Sequence, residues 1–261
     1  MVATSHKRAI SASAIALLTL AALGLRVLRL EWQPLWWDEG YSVYFATESL
    51  SRMVALTAHD IHPPLYYGLL HAWLALLNGP NPVALRLFSV VVGVLAIPLM
   101  TWLAGNLFAQ CPRTVALATL LLAFSPIHIF YSQEIRMYGL ALVLGIAASV
   151  LLWKLVARPT VSLTAAYAAV ATLGLYTLYY FSFLLLAHAI WGVWVVHNDR
   201  RRRRMVVGAL AATSLLYLPW ILYVAPKLTR YVEDKVTSDS DTSLNIIQYV
   251  ALHAMAFVSG H

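Results

Sequence analysis

The sequence predicts an all-α polytopic membrane helix bundle of about eight spans with a long first extracytoplasmic loop carrying interfacial helices. Three observations carry that prediction. Hydrophobic residues make up 61% of the 261 and charged residues 11%, against about 25% charged in an ordinary soluble domain, and mean hydropathy is +0.73. The apolar residues gather in runs near the ~20 residues that a bilayer crossing needs. Basic residues sit in short clusters between those runs, the pattern that marks cytoplasmic loops. The formal net charge of +7 is therefore read as topology and not as nucleic-acid binding. The single cysteine, Cys111, excludes an intramolecular disulfide framework and a cysteine-based metal site, and it is expected to be a packing residue.

Residues 9–30 follow Lys7 and Arg8 and resemble the apolar region of a signal peptide. No small-residue cleavage site precedes Arg26 and Arg29, so they read as an uncleaved first span. Further spans are expected at 87–108, 114–131, 137–153, 160–178, 180–196, 205–224 and 244–261. Residues 159–196 contain no Asp, Glu, Lys or Arg, and about 38 residues at 1.5 Å each is nearly twice a bilayer core. They are expected to form a hairpin of two spans that turns near "LYTLYYFS", residues 175–182.

The run "LYYGLLHAWLALL" (65–77) is short and bounded by prolines at 63, 64, 80 and 82. If it crossed the membrane with the N-terminus inside, Arg200 to Arg204 would lie outside, against the positive-inside tendency. If it lies flat as an amphipathic interfacial helix, Lys7, Arg8, Arg113, Lys154, Arg158 and Arg200 to Arg204 share the cytoplasmic side, and every acidic residue except Asp199 lies opposite. The second arrangement makes 31–86 the first extracytoplasmic loop and 125–139 the second. The expected location is the plasma (inner) membrane, multi-pass, with a cytoplasmic N-terminus and an extracytoplasmic active site. Residues 1–261 read as a single transmembrane domain. Because the chain stops inside the apolar run "ALHAMAFVSGH", it is expected to be the N-terminal portion of a larger unit.

Four outer stretches hold nearly all the unusual chemistry: "WWDEGYS" (36–42), "DIHPPLYY" (60–67), "ALRLFS" (84–89) and "YSQEIRMYG" (131–139). They offer Asp38, Glu39, Asp60 and Glu134 as acids and His62, Arg86 and Arg136 as cations. Ionisable residues at membrane depth are costly and point to function by default. Simpler readings stand beside that one. Asp38 and Glu39 could form a solvated turn, although Trp36, Trp37 and Gly40 make that an odd use of aromatic surface. Pro63 and Pro64 could start a helix while His62 faces water, and Arg86 could snorkel to headgroups. Glu134 and Arg136 are two apart and would not share a helix face. Arg200 to Arg204 read as a topology anchor on anionic lipid, and His188 as a hydrogen-bonded core residue.

A carboxylate pair with cations on the outer side suits a particular chemistry. Nucleotide sugars are normally absent there, so a sugar arrives already activated on a lipid. A polyprenyl phosphate can leave if Arg, Lys or His stabilises its developing charge, and a carboxylate can take the acceptor's proton. One base suffices for an inverting displacement. The second acid could orient the acceptor, hold a cation or shift the first one's pKa.

The order W-DE-Y, then D-x-HPPLYY, then LRL-x-S opening a span, then SP followed by YSQEIRMYG, resembles the lipid-phosphate-sugar glycosyltransferases of the GT-C superfamily. The likeness spans roughly residues 30–145. It is greatest to the bacterial branch related to protein O-mannosyltransferases and aminoarabinose transferases, the family 39-like glycosyltransferases. Family members usually carry further spans and often a C-terminal extracytoplasmic domain. The resemblance implies that Asp38 is the catalytic base and Glu39 its partner. It also implies that His62 lies near the donor phosphate, and that Arg86, which opens the following span, joins Tyr66, Gln133, Glu134 and Arg136 in the donor-phosphate and substrate-binding set. The implied partners are a polyprenyl-phosphate-linked sugar, a lipid, glycan or protein acceptor, and membrane lipid. No cofactor is demanded. Asp38, Glu39, His62 and Glu134 could hold a divalent metal, but no ligand spacing requires one. Two other classes stay open: a flippase of lipid-linked intermediates, which calls for ionisable residues near the midplane and paired repeats, and an inactive partner subunit of a membrane glycosylation complex.

Overall fold

A computed structural model describes residues 11–77 and 81–238, together with 245, 247, 248, 250 and 251. Among the described residues every regular element is a helix, so the chain is an all-α bundle. Helices α1 (Ala12–Val27), α2 (Trp37–Thr47), α3 (Leu50–Thr57) and α4 (Leu65–Leu74) come first, followed by α5 (Pro82–Leu107), α6 (Pro112–Ala123), α7 (Pro126–Gln133) and α8 (Tyr138–Ala157). The bundle then continues through α9 (Val161–Thr177), α10 (Phe181–Val195) and α11 (Arg200–Ser238).

The boundaries follow local chemistry. Asn81 accepts from the amides of Val83 and Ala84 ahead of Pro82, and Ser125 does the same for His128 ahead of Pro126. An N-cap oxygen satisfies amides that a helix leaves open, and proline at the first position costs nothing because its missing N–H would be unpaired there. Thr160 caps α9 in the same way through Leu163.

Helix α5 is the axis of the first half, packed by α8, α6, α1 and α7, while α8, α9 and α11 pack together in the second half. The apolar core there runs through Leu152, Leu155, Tyr167, Ala171, Leu175 and Trp220. Glycine is required at two close approaches. A side chain at Gly93 would overlap Ser132, and one at Gly174 would overlap the Phe181 ring, so these positions let α5 meet α7 and let α9 fold back on α10.

Among the described residues, three helical stretches are long and apolar enough to cross a membrane: Pro82–Leu107, Tyr138–Ala157 and Arg200–Lys227. A helix is present at seven of the eight expected spans, and most of 244–261 lies outside the described residues. The expected single span over 114–131 is instead two helices, α6 and α7, bent by 46° at Ser125 and Pro126. The helices α1, α9 and α10 have 16, 17 and 15 residues, about 23–26 Å at 1.5 Å per residue. The expected hairpin turn falls at Leu178 to Tyr180, between α9 and α10.

The contested run over 65–77 gives α4, only 10 residues long, too short to cross. It does not lie loose on the surface, because Tyr66, Tyr67 and Leu70 are buried where it packs on α2, α5 and α9. Cys111, expected to be a packing residue, is instead exposed at the start of α6. His188 is the expected core residue, hydrogen-bonded to Ser149 at 3.1 Å and to Tyr167 at 3.1 Å.

The two ends of the bundle differ in chemistry. Helices α2, α3 and α4 cover one end, packing against Leu85, Ile135, Tyr138 and Leu178. At the other, Lys154 lies 4.2 Å from the Trp102 ring centre and Arg202 donates to the Val156 carbonyl at 3.2 Å. Arg113, Arg158 and Arg200 to Arg204 are exposed on that second end.

Candidate functional site

Helix α2 begins at Trp37 and carries both acids in its first turn, where negative charge meets the positive end of the helix dipole. Successive helical residues point about 100° apart, and that rotation separates their fates. Glu39 is fully buried, while the Asp38 side chain is 39% exposed.

Glu39 is locked to Arg86 of α5. The guanidinium donates Nε to Oε1 at 2.9 Å and Nη2 to Oε2 at 2.6 Å. Its Nη1 donates to the Leu30 and Gln33 carbonyls, each at 2.8 Å, and Nη2 also reaches the Pro34 carbonyl at 3.3 Å. A guanidinium has five N–H donors, and all five are engaged. The Ile135 amide donates to Glu39 Oε1 at 3.0 Å. The pair therefore binds residues 30–34, α2, α5 and the α7–α8 turn into one unit. Arg86 does not snorkel, and it has no N–H left for a donor phosphate, the placement its position in the motif suggested. Glu39 likewise is a structural keystone and not an accessible second base.

Asp38 meets a different cation. Arg136 Nη2 lies 3.4 Å from Asp38 Oδ2, and Nη1 donates to the Asp38 carbonyl at 3.3 Å. The same Nη2 lies 3.2 Å from His62 Nε2. An arginine can only donate, so Nε2 holds the lone pair and Nδ1–H donates to Asp60 Oδ2, 3.2 Å away. His62 thus does not face water, because the Pro63–Pro64 start of α4 turns it inward onto Arg136. The result is a chain of four groups, Asp60, His62, Arg136 and Asp38, that ends at a carboxylate open to solvent. Arg136 is 4% exposed and its Nε–H has no partner among the described residues.

Glu134 and Arg136 lie in a tight turn, with the Arg136 amide donating to the Glu134 carbonyl at 2.8 Å, and they form no ion pair with each other. Glu134 is 6% exposed and its Oε2 has no partner among the described residues. Burial pushes its carboxyl up to about 7, with Glu39 and Asp38 of α2 reinforcing the shift and Arg136 and Arg86 opposing it. The unfolded chain releases this proton near 4.5. Between about 4.5 and about 7 the native state binds more protons than the unfolded one, so Glu134 makes stability fall as pH rises through that window. Glu134→Gln is expected to remove this slope. Thermal unfolding in detergent across that range checks it, and identical slopes for both proteins would refute it.

Gln133 donates its Nε2 to the carbonyls of Leu25, Arg26 and Leu28, the last at 2.8 Å, and so serves the open C-terminal end of α1. Tyr66 is buried and hydrogen-bonded to Ser89 at 3.0 Å. Neither is placed beside Asp38. Among the described residues no three His, Cys, Asp or Glu side chains converge to hold a metal ion, so Asp38, Glu39, His62 and Glu134 do not form the cluster that a divalent site would use.

One polar group escaped sequence reasoning. Arg26 is fully buried in α1 and has no carboxylate partner among the described residues. It donates to the Ala22 carbonyl at 2.9 Å, to the Ala123 carbonyl at 3.1 Å, to Ser132 at 3.3 Å and to His128. Ala123 closes α6, so Arg26 serves the carbonyls that the α6–α7 bend leaves open. The usable signal was the S-P step inside an expected span, since a broken helix needs a donor from elsewhere.

Together these features define a helical membrane protein with a polar site capping one end of its bundle. Comparison with protein-family models, with characterised proteins and with solved structures gave no match.

Proposed function

We propose that the chain is a membrane glycosyltransferase that moves a sugar from a polyprenyl-phosphate donor to an extracytoplasmic lipid, glycan or protein acceptor by a single inverting displacement. The observation that carries this reading is the asymmetry of the acid pair: Glu39 is locked away, while Asp38 is open to solvent and backed by Arg136, His62 and Asp60. Asp38 takes the proton of the acceptor hydroxyl. The acceptor oxygen forms its bond to the anomeric carbon as the bond from that carbon to the phosphate oxygen breaks. The polyprenyl phosphate leaves with the electron pair, its charge facing the Arg136–His62 pair. The aromatic stripe Trp37, Tyr41 and Tyr44 on the exposed face of α2 suits the membrane surface, where amphipathic rings settle. That arrangement holds Asp38 at headgroup depth.

The deciding experiment is sugar transfer from synthetic polyprenyl-phosphate sugars by the purified protein, with Asp38→Asn in parallel. Equal transfer by both proteins would sink the assignment of the base. A plasma-membrane location with the Asp38 end outside draws on the sorting of basic residues to the opposite end. In a Cys111→Ser background, single cysteines at His71 and Asn198 are expected to react with an impermeant thiol reagent from opposite faces of sealed vesicles. Labelling from the same face would overturn the orientation.

A further inference from the structure

A cavity of about 470 Å³ opens on the far side of the Glu39–Arg86 pair, and neither Asp38 nor Arg136 lines it. Leu25 and Leu28 of α1 and Ile129 and Phe130 of α7 give it an apolar wall, while its charged lining is the mutually paired Glu39 and Arg86 together with Arg29 and Glu134.

Two groups in this cavity lack what they need. Glu134 is more than nine-tenths buried, and its Oε2 has no donor among the described residues. A buried acceptor left without a donor carries its full desolvation cost. Arg29 is exposed and, among the described residues, its guanidinium meets only the Trp32 ring, 5.2 Å away. Its backbone is also held at φ 59° just past the end of α1, the left-handed position that glycine usually fills after a helix. A side chain in that conformation is strained, and such residues persist where the surroundings hold them for a purpose. Arginine at this position therefore places a free cation at the cavity mouth.

The geometry points to a resident lipid site: the cavity takes a hydroxyl-bearing anionic glycerophospholipid, with its phosphodiester on Arg29, a headgroup hydroxyl donating to Glu134 Oε2, and its chain along Leu25, Leu28, Ile129 and Phe130. A phosphodiester alone offers only acceptors and would leave the ionised Glu134 unserved. A hydroxyl can donate to the carboxylate and can also accept from the protonated carboxyl, so the contact holds in either state. An ammonium headgroup has only donors, so it would serve the ionised Glu134 and leave the protonated carboxyl without an acceptor. Free phosphate or a free polyol would leave the apolar wall uncovered. Because Asp38 is not in the lining, this site stands independently of the transfer reaction.

Native mass spectrometry of the full chain released from detergent tests it, using phosphatidylglycerol, phosphatidylmethanol, phosphatidylcholine and polyprenyl phosphate as probes. Phosphatidylglycerol is expected to be retained at least about ten-fold better than phosphatidylcholine, a difference in the range of one charge-assisted contact. Arg29→Gly suits the φ of this position, so it folds, and it is expected to abolish that preference. Phosphatidylmethanol keeps the charge but lacks the headgroup hydroxyl. Wild type is expected to prefer phosphatidylglycerol over it, and Glu134→Leu to lose that discrimination. Asp38→Asn is expected to leave lipid retention unchanged. The proposal is overturned if Arg29→Gly retains phosphatidylglycerol as wild type does, or if the two anionic lipids bind alike in wild type. It is equally overturned if polyprenyl phosphate displaces phosphatidylglycerol, or if Asp38→Asn abolishes retention, since either result would give the cavity to the sugar donor.

Discussion

Arg86→Met is expected to destabilise the folded chain by about 3–5 kcal/mol, the cost of leaving one partner of a buried ion pair alone. Glu39 would keep a single protein donor, the Ile135 amide, in place of three. The carbonyls of Leu30, Gln33 and Pro34 would lose their donor at the same time. Arg86→Lys is expected to fall between wild type and Arg86→Met, because an ammonium keeps the charge but cannot fork onto both carboxylate oxygens. The double variant Glu39→Met with Arg86→Met is expected to recover part of the loss, since buried pairs are often replaceable by apolar residues of similar volume. Recovery should be incomplete, because the three carbonyls still lack donors. Unfolding in detergent would measure this series, and an Arg86→Met protein within about 1 kcal/mol of wild type would show that the pair is not the keystone. Transfer should fall along with stability, since this pair fixes the first turn of α2.

The sequence made Asp38 and Glu39 conspicuous, because two acids among tryptophans in an apolar chain need a reason. It could not tell them apart. Their different roles arise from a rotation of about 100° on a helix, and from partners in distant segments, Arg86 on α5 and Arg136 past α7. Arg86 looked like a free cation at a span opening because three of the four residues that hold it do so through backbone carbonyls, which leave no mark in a residue pattern. The same blindness hid Arg26. His62 was legible as unusual, yet the reading that let it face water treated Pro63 and Pro64 as a simple helix start. They do start α4, and in doing so they turn His62 onto Arg136. The helical class and the turn between α9 and α10 were readable from hydropathy and length alone. The break between α6 and α7 was not, because hydropathy runs on through Ser125 and Pro126 while the backbone bends.

Asp38→Asn is expected to lower transfer by about 10²- to 10⁴-fold, the usual contribution of a positioned general base, while scarcely moving the unfolding midpoint. The separation follows from which atoms of Asp38 hold the structure. Its backbone carbonyl accepts from Ser42 at 3.1 Å and from Arg136 at 3.3 Å, and both bonds survive the substitution. The side chain contributes one contact at 3.4 Å with a carboxylate that is 39% exposed, an interaction in the range of 0–1 kcal/mol for a solvent-screened pair. Asparagine keeps the shape and can still accept from Arg136, but it cannot take a proton from a hydroxyl. Glu39→Gln offers no such clean result, because it weakens the lock on Arg86 and would lower activity and stability together. Loss of transfer with a native unfolding curve is thus diagnostic only at Asp38. If Asp38→Asn kept transfer within about tenfold of wild type, the proton would have to go elsewhere. The next carboxylate along the same chain is Asp60, 26% exposed on the other side of His62. Its distance from Asp38 across Arg136 would move the reacting sugar from the first turn of α2 to the start of α4.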